Sequence, residues 1–403
     1  IIVPVYNEPS ELFYELLDNL SKLIYPKDLF EIIIIDDSDN EIYENNVKIV
    51  NKFKDKIKIK CIHREKPIGF KPGALNAALK SSSGDYVIVL DIDTRLPPDY
   101  LSLTANIISS EEVHYLQSKT VPKTNSLASY GYLVFIEFRN EVLLEFSSKS
   151  GSPFLAGYGY VISRKTLEEL GGWRGGLLAE DIELYLKLSS KNLRGKLHSL
   201  EVYELPPASL RDLRAQQERW IVGSFQVIKE VVLGNIRKPA LKHLALVSLF
   251  TTFLINDLAL VTPFIMSSTG MEFNTNLLLV LSAISYTIFL PAFIKTALSM
   301  LSRYGPVKTL IGLAVSSLVY GYLSIKSFGY LANVLLAKHL RWRVTGKKNS
   351  KSGIDVASRV FIIPIIVLSL YICLKEYYIM FFTWILGLAI SYVAELILEL
   401  TSI

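Results

Sequence analysis

The sequence predicts an α/β domain built on a doubly wound, mostly parallel sheet, followed by an α-helical transmembrane region. Three observations carry this. Through about the first 240 residues, short β-branched runs alternate with stretches of helical period. Acidic clusters fall where such runs end, the position at which open α/β sheets hold ligands. Beyond that point, apolar stretches long enough to cross a bilayer replace the alternation.

Composition agrees. The chain has 403 residues, 50% hydrophobic and 20% charged, with a mean hydropathy of +0.33. That is too apolar for an ordinary soluble enzyme, and the length suits more than one domain. The net charge is only +5 and no dense basic tract occurs, which argues against nucleic acid as a partner. Lys and Arg gather beside the apolar segments, as the positive-inside rule expects. Cys61 and Cys373 form neither a disulfide framework nor a metal spacing, in keeping with a reducing compartment. The chain opens directly on a strand, Ile1-Ile2-Val3-Pro4-Val5, with no initiator Met, so the expectation is a truncated chain with further membrane helices upstream.

Residues 1–6 read as the first strand, turning at Tyr6-Asn7-Glu8-Pro9 into a helix through Leu20. Glu31 to Ile35 is a second strand, closed by Asp36-Asp37-Ser38-Asp39-Asn40; a helix near Glu44–Phe53 and a strand near Ile57–Ile62 follow. His63 to Leu79 then brings Gly69, Lys71 and Gly73 just ahead of a helix starting at Ala74. Close backbone approach and a cation at a helix N-terminus suit a phosphate or pyrophosphate.

Val87 to Pro98 is the stretch the rest is organised around. An apolar strand runs into Asp91 and Asp93 and stops at Pro97-Pro98. Two residues apart on a strand, both carboxylates point to one side and are spaced to share a hard divalent cation, Mg²⁺ or Mn²⁺. A lone D-x-D is more often an acidic turn; its neighbours favour the metal reading.

Residues 101–150 read as helical. Phe154 to Trp173 holds Gly157 and Gly159, a tight loop where a ligand approaches backbone. Ala179-Glu180-Asp181 leads into a helix through Lys187, where a carboxylate either caps the helix or serves as a general base. Residues 211–220 form a polar helix in which Arg219 suits phosphates and Trp220 a sugar face. An amphipathic helix anchored by Trp220 at a membrane interface fits the same residues.

Taken in order, V-P-V-Y-N-E, D-D-S at Asp36–Ser38, D-x-D at Asp91 and Asp93, E-D at Glu180–Asp181 and Q-x-x-R-W at Gln216, Arg219 and Trp220 resemble the processive family 2 glycosyltransferases. These include cellulose synthases, the cellulose-synthase-like mannan and glucan synthases, and hyaluronan and chitin synthases. Trp342-Arg343-Val344-Thr345-Gly346-Lys347 resembles the family's gating loop, with Trp342, Val344, Thr345 and Lys347 at its motif positions. The resemblance implies a GT-A-type nucleotide-sugar-binding domain in which Asp36 or Asp37, Lys71 and Asp91 hold the nucleotide sugar. Asp93 with Asp91 would take Mg²⁺ or Mn²⁺, and Asp181 would be the catalytic base. Arg219 would bind pyrophosphate, while Trp220 and Gln216 would meet the acceptor. Three positions depart from the family: Ala179 stands for Thr in T-E-D, Gly157-Tyr158-Gly159 for G-T-G, and Lys71-Pro72-Gly73 for K-A-G.

The implied organisation is a catalytic domain over 1–210 and the Q-x-x-R-W and interface helices over 211–242. Two transmembrane helices follow over 243–300, an interfacial helix with the gating-like loop over 301–356, and two further transmembrane helices over 357–403. The expected spans are His243–Met266, interrupted by Asn256 and Asp257, then Leu277–Met300, Val360–Leu374 and Ile379–Leu398. Thr309–Leu340 is read as interfacial, because crossing there would carry Lys338, Arg341 and Lys347 to the wrong side. The expected protein is a multi-pass enzyme of the cell membrane with a cytoplasmic catalytic domain. Its partners would be a nucleotide-sugar donor (UDP-glucose or GDP-mannose), a growing polysaccharide or glycan acceptor, and membrane lipid. The competing readings are single-sugar transfer to a polyprenyl phosphate or other lipid, and an inactive scaffold or channel subunit.

Overall fold

The computed structural model of the chain describes residues 1–237, 239–249 and 275–336, together with positions 367, 371, 386, 389 and 390. The chain divides into two compact units. The first is Ile1–Lys123, Arg139–Pro206 and Gln226–Val247; the second is Thr124–Phe138, Pro207–Phe225 and what is described from Ser248 onward.

The strands of the first unit are β1 (Ile2–Val5), β2 (Ile32–Asp36), β3 (Ile59–His63), β4 (Tyr86–Val89), β5 (Thr94–Arg95), β6 (Tyr115–Gln117), β7 (Thr120–Pro122), β8 (Tyr160–Ser163), β9 (Gly195–Leu197) and β10 (Val202–Glu204). Seven make one sheet in the order β3-β2-β1-β4-β8-β6-β9. β1 to β4 pair in parallel, as does β6 with β9, while β8 runs antiparallel to β4 and β6. β2 is I-I-I-I-D and buried at every position, because helices cover both faces of a parallel sheet. The helix Ser10–Ser21 buries Phe13, Leu16, Leu17 and Leu20, an i, i+3, i+4, i+7 stripe that packs into the core with Val3, Val5, Ile32, Ile34 and Leu90.

A second sheet, β5-β10-β7, has no counterpart in the sequence reading. Residues 101–150 are not helical throughout, since β6 and β7 lie between the helices Tyr100–Ser110 and Leu127–Phe138. Three-residue strands are too short to leave a hydrophobic period. The D-x-D geometry also differs from expectation. β4 ends at Val89, so Asp91 and Asp93 sit in the turn beyond it, where the Thr94 N–H returns to the Asp91 carbonyl at 3.0 Å. Strand alternation does not govern how these carboxylates point.

In the second unit, helix Leu127–Phe138 lies against a long helical stretch, Thr275–Leu336, bent at Gly305 (φ 79°, ψ 172°) ahead of Pro306. The contact is close: a Cβ on Gly131 would stand 2.5 Å from Val315 Cγ1, and one on Gly312 2.6 Å from the Tyr130 carbonyl. Glu137, fully buried, accepts from Ser299 Oγ at 2.8 Å, Tyr304 O–H at 3.1 Å and Arg303 at 3.3 Å. The helical stretch covers the expected span Leu277–Met300 and the expected interfacial helix as far as Leu336. Its window Leu290–Ser324 is long and apolar enough, by length and composition, to cross a membrane, and half of it is buried in the protein. That window runs across the bend instead of stopping at Met300. Of the other expected spans, only the start of His243–Met266 is described, within the helix Leu241–Ser248. Asn256, Asp257, Trp342, Val344, Thr345, Lys347 and nearly all of Val360–Leu374 and Ile379–Leu398 lie outside the described residues.

Candidate active site

The helix Phe70–Ser81 places the central cation. It follows Gly69, whose φ of 86° is the left-handed conformation a glycine adopts without strain. Gly73 is equally constrained, because a Cβ there would lie 2.1 Å from the Ile68 carbonyl oxygen. This turn presents Lys71, whose Nζ lies 2.7 Å from Asp91 Oδ1 and 3.5 Å from Glu180 Oε1, and donates to the Gly157 carbonyl at 3.0 Å. Burial by itself pushes the Lys71 ammonium down. The Asp91, Glu180 and Asp181 charges outweigh it and hold its pKa above the ordinary value.

Glu180 and Asp181 open the helix Glu180–Ser190, where the helix dipole favours negative charge. Burial raises both carboxyls, Glu180 to about 7, while Lys71 pulls them down. Ala179, at the N-cap, supplies no side-chain capping bond. Gly157, with φ 83°, closes on this pair: a Cβ there would stand 3.1 Å from Asp181 Oδ2. Lys71, Asp91, Glu180, Asp181 and the Gly157 backbone thus form one cluster, with Glu180 buried and Lys71, Asp91 and Asp181 half-buried.

Asp93 faces a different environment. Its carboxyl is pushed well above the ordinary range, first by burial and then by the Glu204 and Asp91 charges. Its Oδ1 is buried with no hydrogen-bond partner among the described residues, the kind of oxygen a hard cation satisfies. Among those residues no group of three or more His, Cys, Asp or Glu forms a complete cation cage. The unpartnered Asp93 oxygen beside Asp91 fits a place for a divalent cation that these two carboxylates would hold only in part.

Asp36 is fully buried and spends its oxygens on Ser38 N–H at 2.9 Å and Asn46 Nδ2 at 2.8 Å, bracing the end of β2. Asp37 instead forms a two-pronged pair with Arg64, at 2.7 and 2.5 Å. Beside them the Tyr43 and His63 rings stack at 4.3 Å, and Asn7 Nδ2 is buried without a partner among the described residues. Glu8, whose Oε2 accepts from Tyr6 N–H, has its carboxyl raised to about 7, chiefly by burial, with Asp91 and Asp36 adding to it. The sequence reading assigned no role to Glu8 or Arg64, although both lie within its motif stretches.

Gln216, Arg219 and Trp220 belong to the second unit, on the helix Leu210–Val232, which is longer than the expected 211–220. Gln216 Oε1 is buried with no hydrogen-bond partner among the described residues, and the Trp220 carbonyl accepts from Ser224 Oγ at 2.8 Å. Another face of this helix meets the long helical stretch. Tyr330 O–H donates to Glu218 at 2.7 Å, and the Arg214 guanidinium lies 4.6 Å from the Tyr322 ring centroid.

Comparison with known proteins decides the family. Residues 86–301, just over half the chain, match the family described as glycosyl transferase family group 2. The chain belongs to this family. A probable glycosyltransferase of Sulfolobus acidocaldarius is 29% identical over 233 residues, covering 57% of this chain and 50% of the relative. The probable glucomannan 4-beta-mannosyltransferase 11 of Arabidopsis thaliana is 27% identical over 249 residues, covering 58% and 55%. The chain spans about half the length of these curated relatives. Among solved structures, the mannosyltransferase PcManGT of Pyrobaculum calidifontis, in complex with GDP-Man and Mn²⁺, aligns with a TM-score of 0.52 at 19% identity, covering 84% of this chain and 87% of that one. The shared feature is the fold: a GT-A-like α/β glycosyltransferase domain with a mostly parallel sheet.

Proposed function

We propose that this group 2 glycosyltransferase is a membrane-embedded, inverting hexosyltransferase that extends a β-linked polysaccharide from a nucleotide sugar and threads the product through its own helices. The observation that carries the reading is the cluster of Lys71, Asp91, Glu180 and Asp181 against the Gly157 loop. It sets a cation, a carboxylate raised toward neutrality and an open backbone within one site. Asp181 takes the proton from the attacking acceptor hydroxyl as that oxygen bonds to the anomeric carbon and the bond to the nucleoside diphosphate breaks. A base raised from its ordinary value suits this work near neutral pH. Lys71 moves from Asp91 toward the departing diphosphate and offsets its charge. Asp93, with Asp91, would hold Mn²⁺ or Mg²⁺, which when bound would add charge neutralisation at the leaving group. Asp37 with Arg64, and Glu8, line the nucleotide end. The family resemblance assigns Arg219 to the pyrophosphate, Trp220 and Gln216 to the acceptor sugar, and Trp342, Val344, Thr345 and Lys347 to a gating loop.

GDP-mannose is the preferred donor in this reading, in line with the glucomannan mannosyltransferase relatives. The membrane location draws on one candidate span, Leu290–Ser324, and its outward apolar row. Leu290, Phe293, Ile294, Leu298 and Leu301 are all exposed. The test is sugar transfer in membranes or detergent with Mn²⁺ or Mg²⁺, offering labelled GDP-mannose, UDP-glucose and UDP-N-acetylglucosamine separately. High-mass product from GDP-mannose, lost in Asp181→Asn, is the expected result. Label recovered as one sugar per lipid acceptor would overturn processivity. Absence of transfer from every donor would favour the inactive-subunit reading.

A further inference from the structure

Behind the D-x-D turn lies a cluster that the reaction scheme above leaves unused. Glu204 closes β10 and adjoins the turn: it pairs with Thr94 in the antiparallel β5–β10 register, and the next residue, Leu205, donates its N–H to the Asp93 carbonyl at 3.1 Å. Tyr158 O–H donates to Glu204 Oε2 at 2.5 Å. Arg139 in turn donates from Nη2 to the Tyr158 oxygen at 2.9 Å, and its guanidinium lies 5.3 Å from the Tyr158 ring centroid. Glu204, Tyr158 and Arg139 are 3%, 5% and 3% exposed.

Burying charged groups costs free energy unless their geometry is well satisfied, and local structure is shaped here to satisfy it. Arg139 begins a π-helical turn, Arg139–Leu144, a rare conformation that recurs at functional sites. The same turn sets Asn140 on both backbone groups of Thr120, at 3.2 and 2.8 Å. Tyr158 sits between Gly157 and Gly159, both with positive φ, so the loop can turn its large side chain inward while the Gly157 carbonyl stays on Lys71. The chain of hydrogen bonds thus runs from Arg139 through the glycine loop to Glu204, and the neighbouring Leu205 holds the backbone of Asp93, whose Oδ1 is buried with no hydrogen-bond partner among the described residues.

We propose that Glu204, held by Tyr158 and Arg139, is a positioning residue that orients Asp93 for its divalent cation. The inference rests on the reading of Asp93 as a cation ligand. It also gives Tyr158 an internal role, so the bulk at the centre of the G-Y-G loop does not contact the acceptor. Partners that orient a metal ligand typically alter metal affinity by 10- to 100-fold when removed.

The experiment is Mn²⁺ binding to the full chain in detergent, read from the electron paramagnetic resonance signal of free Mn²⁺, with and without GDP. Glu204→Gln is expected to weaken Mn²⁺ about tenfold. Tyr158→Phe shifts it in the same direction by less, and the double variant by less than the sum. Asp93→Asn loses the site. A purely structural Glu204 would lower the thermal midpoint and leave the Mn²⁺ affinity of the folded protein unchanged. Wild-type affinity in folded Glu204→Gln overturns the proposal; if that variant does not fold, wild-type affinity in Tyr158→Phe does so. Equal Mn²⁺ binding by wild type and Asp93→Asn overturns the cation reading beneath it, a result distinct from failure of Glu204 alone.

Discussion

Replacing Gly157 with Ala separates backbone strain from pressure on Asp181, the carboxylate proposed as the base. At φ 83° an alanine pays for a left-handed conformation, about 1–2 kcal/mol. Its Cβ would also lie 3.1 Å from Asp181 Oδ2 and 3.9 Å from Lys71 Nζ. Ordinary contact begins near 3.4 Å, so the carboxylate must retreat by about 0.3 Å. A displacement of about 1 Å at a reacting group can cost about 10²-fold in rate, so a retreat of about 0.3 Å should cost about fourfold. Gly151 supplies the control, with φ 71° and nothing within 4 Å of the added Cβ. Gly157→Ala and Gly151→Ala should lose similar stability, while only Gly157→Ala loses kcat, with the donor KM little changed. Initial rates of labelled sugar transfer at saturating Mn²⁺, beside thermal unfolding, read both quantities. If Gly157→Ala turns over within about twofold of Gly151→Ala, the glycine loop does not set the position of Asp181 and the site geometry argued here is wrong.

Other expectations follow from the same structure. Asp181→Asn should lower kcat by about 10²- to 10⁴-fold while GDP and Mn²⁺ binding, followed by calorimetry, persist. Glu8 is raised from 4.5 to about 7 in the fold, so the native state keeps a proton that the unfolded chain releases. Its contribution to stability is full below 4.5 and declines as pH rises through about 7. Glu8→Gln should flatten that decline in thermal midpoints measured across this window, and an unchanged slope would count against it. Gly131→Val should force the helix Leu127–Phe138 away from Val315 and destabilise the second unit by about 1–3 kcal/mol, visible as faster proteolysis there.

Much of the architecture was legible in the chain because parallel strands buried on both faces announce themselves. The I-I-I-I run of β2 and the apolar stripe of Ser10–Ser21 have no other stable use. Lys71, Asp91, Asp93 and Asp181 stood out in the chain as candidates, since carboxylates and glycines at strand ends and helix starts have a recognisable chemistry, and the fold brings Lys71, Asp91 and Asp181 together. The short strands β5, β6, β7 and β10 left no periodic trace, and with them the second sheet was missed. That sheet brings Glu204 to Asp93 across more than a hundred residues, a pairing no local pattern encodes. The signal was present, a carboxylate at the end of a short β-run just before Pro206, but without its partner it reads as an ordinary loop acid.

By itself, then, the sequence determined the fold class and marked the residue types proposed to carry the chemistry, because hydrophobic period and turn chemistry are local properties. Only the tertiary structure decided how those residues divide their labour. It turned Asp36 inward onto Asn46, gave Asp37 to Arg64, tied Lys71 to Asp91 and left an oxygen of Asp93 without a hydrogen bond among the described residues. These assignments depend on which side chains meet across the sheet, and burial and pairing fix that only once the chain has closed on itself.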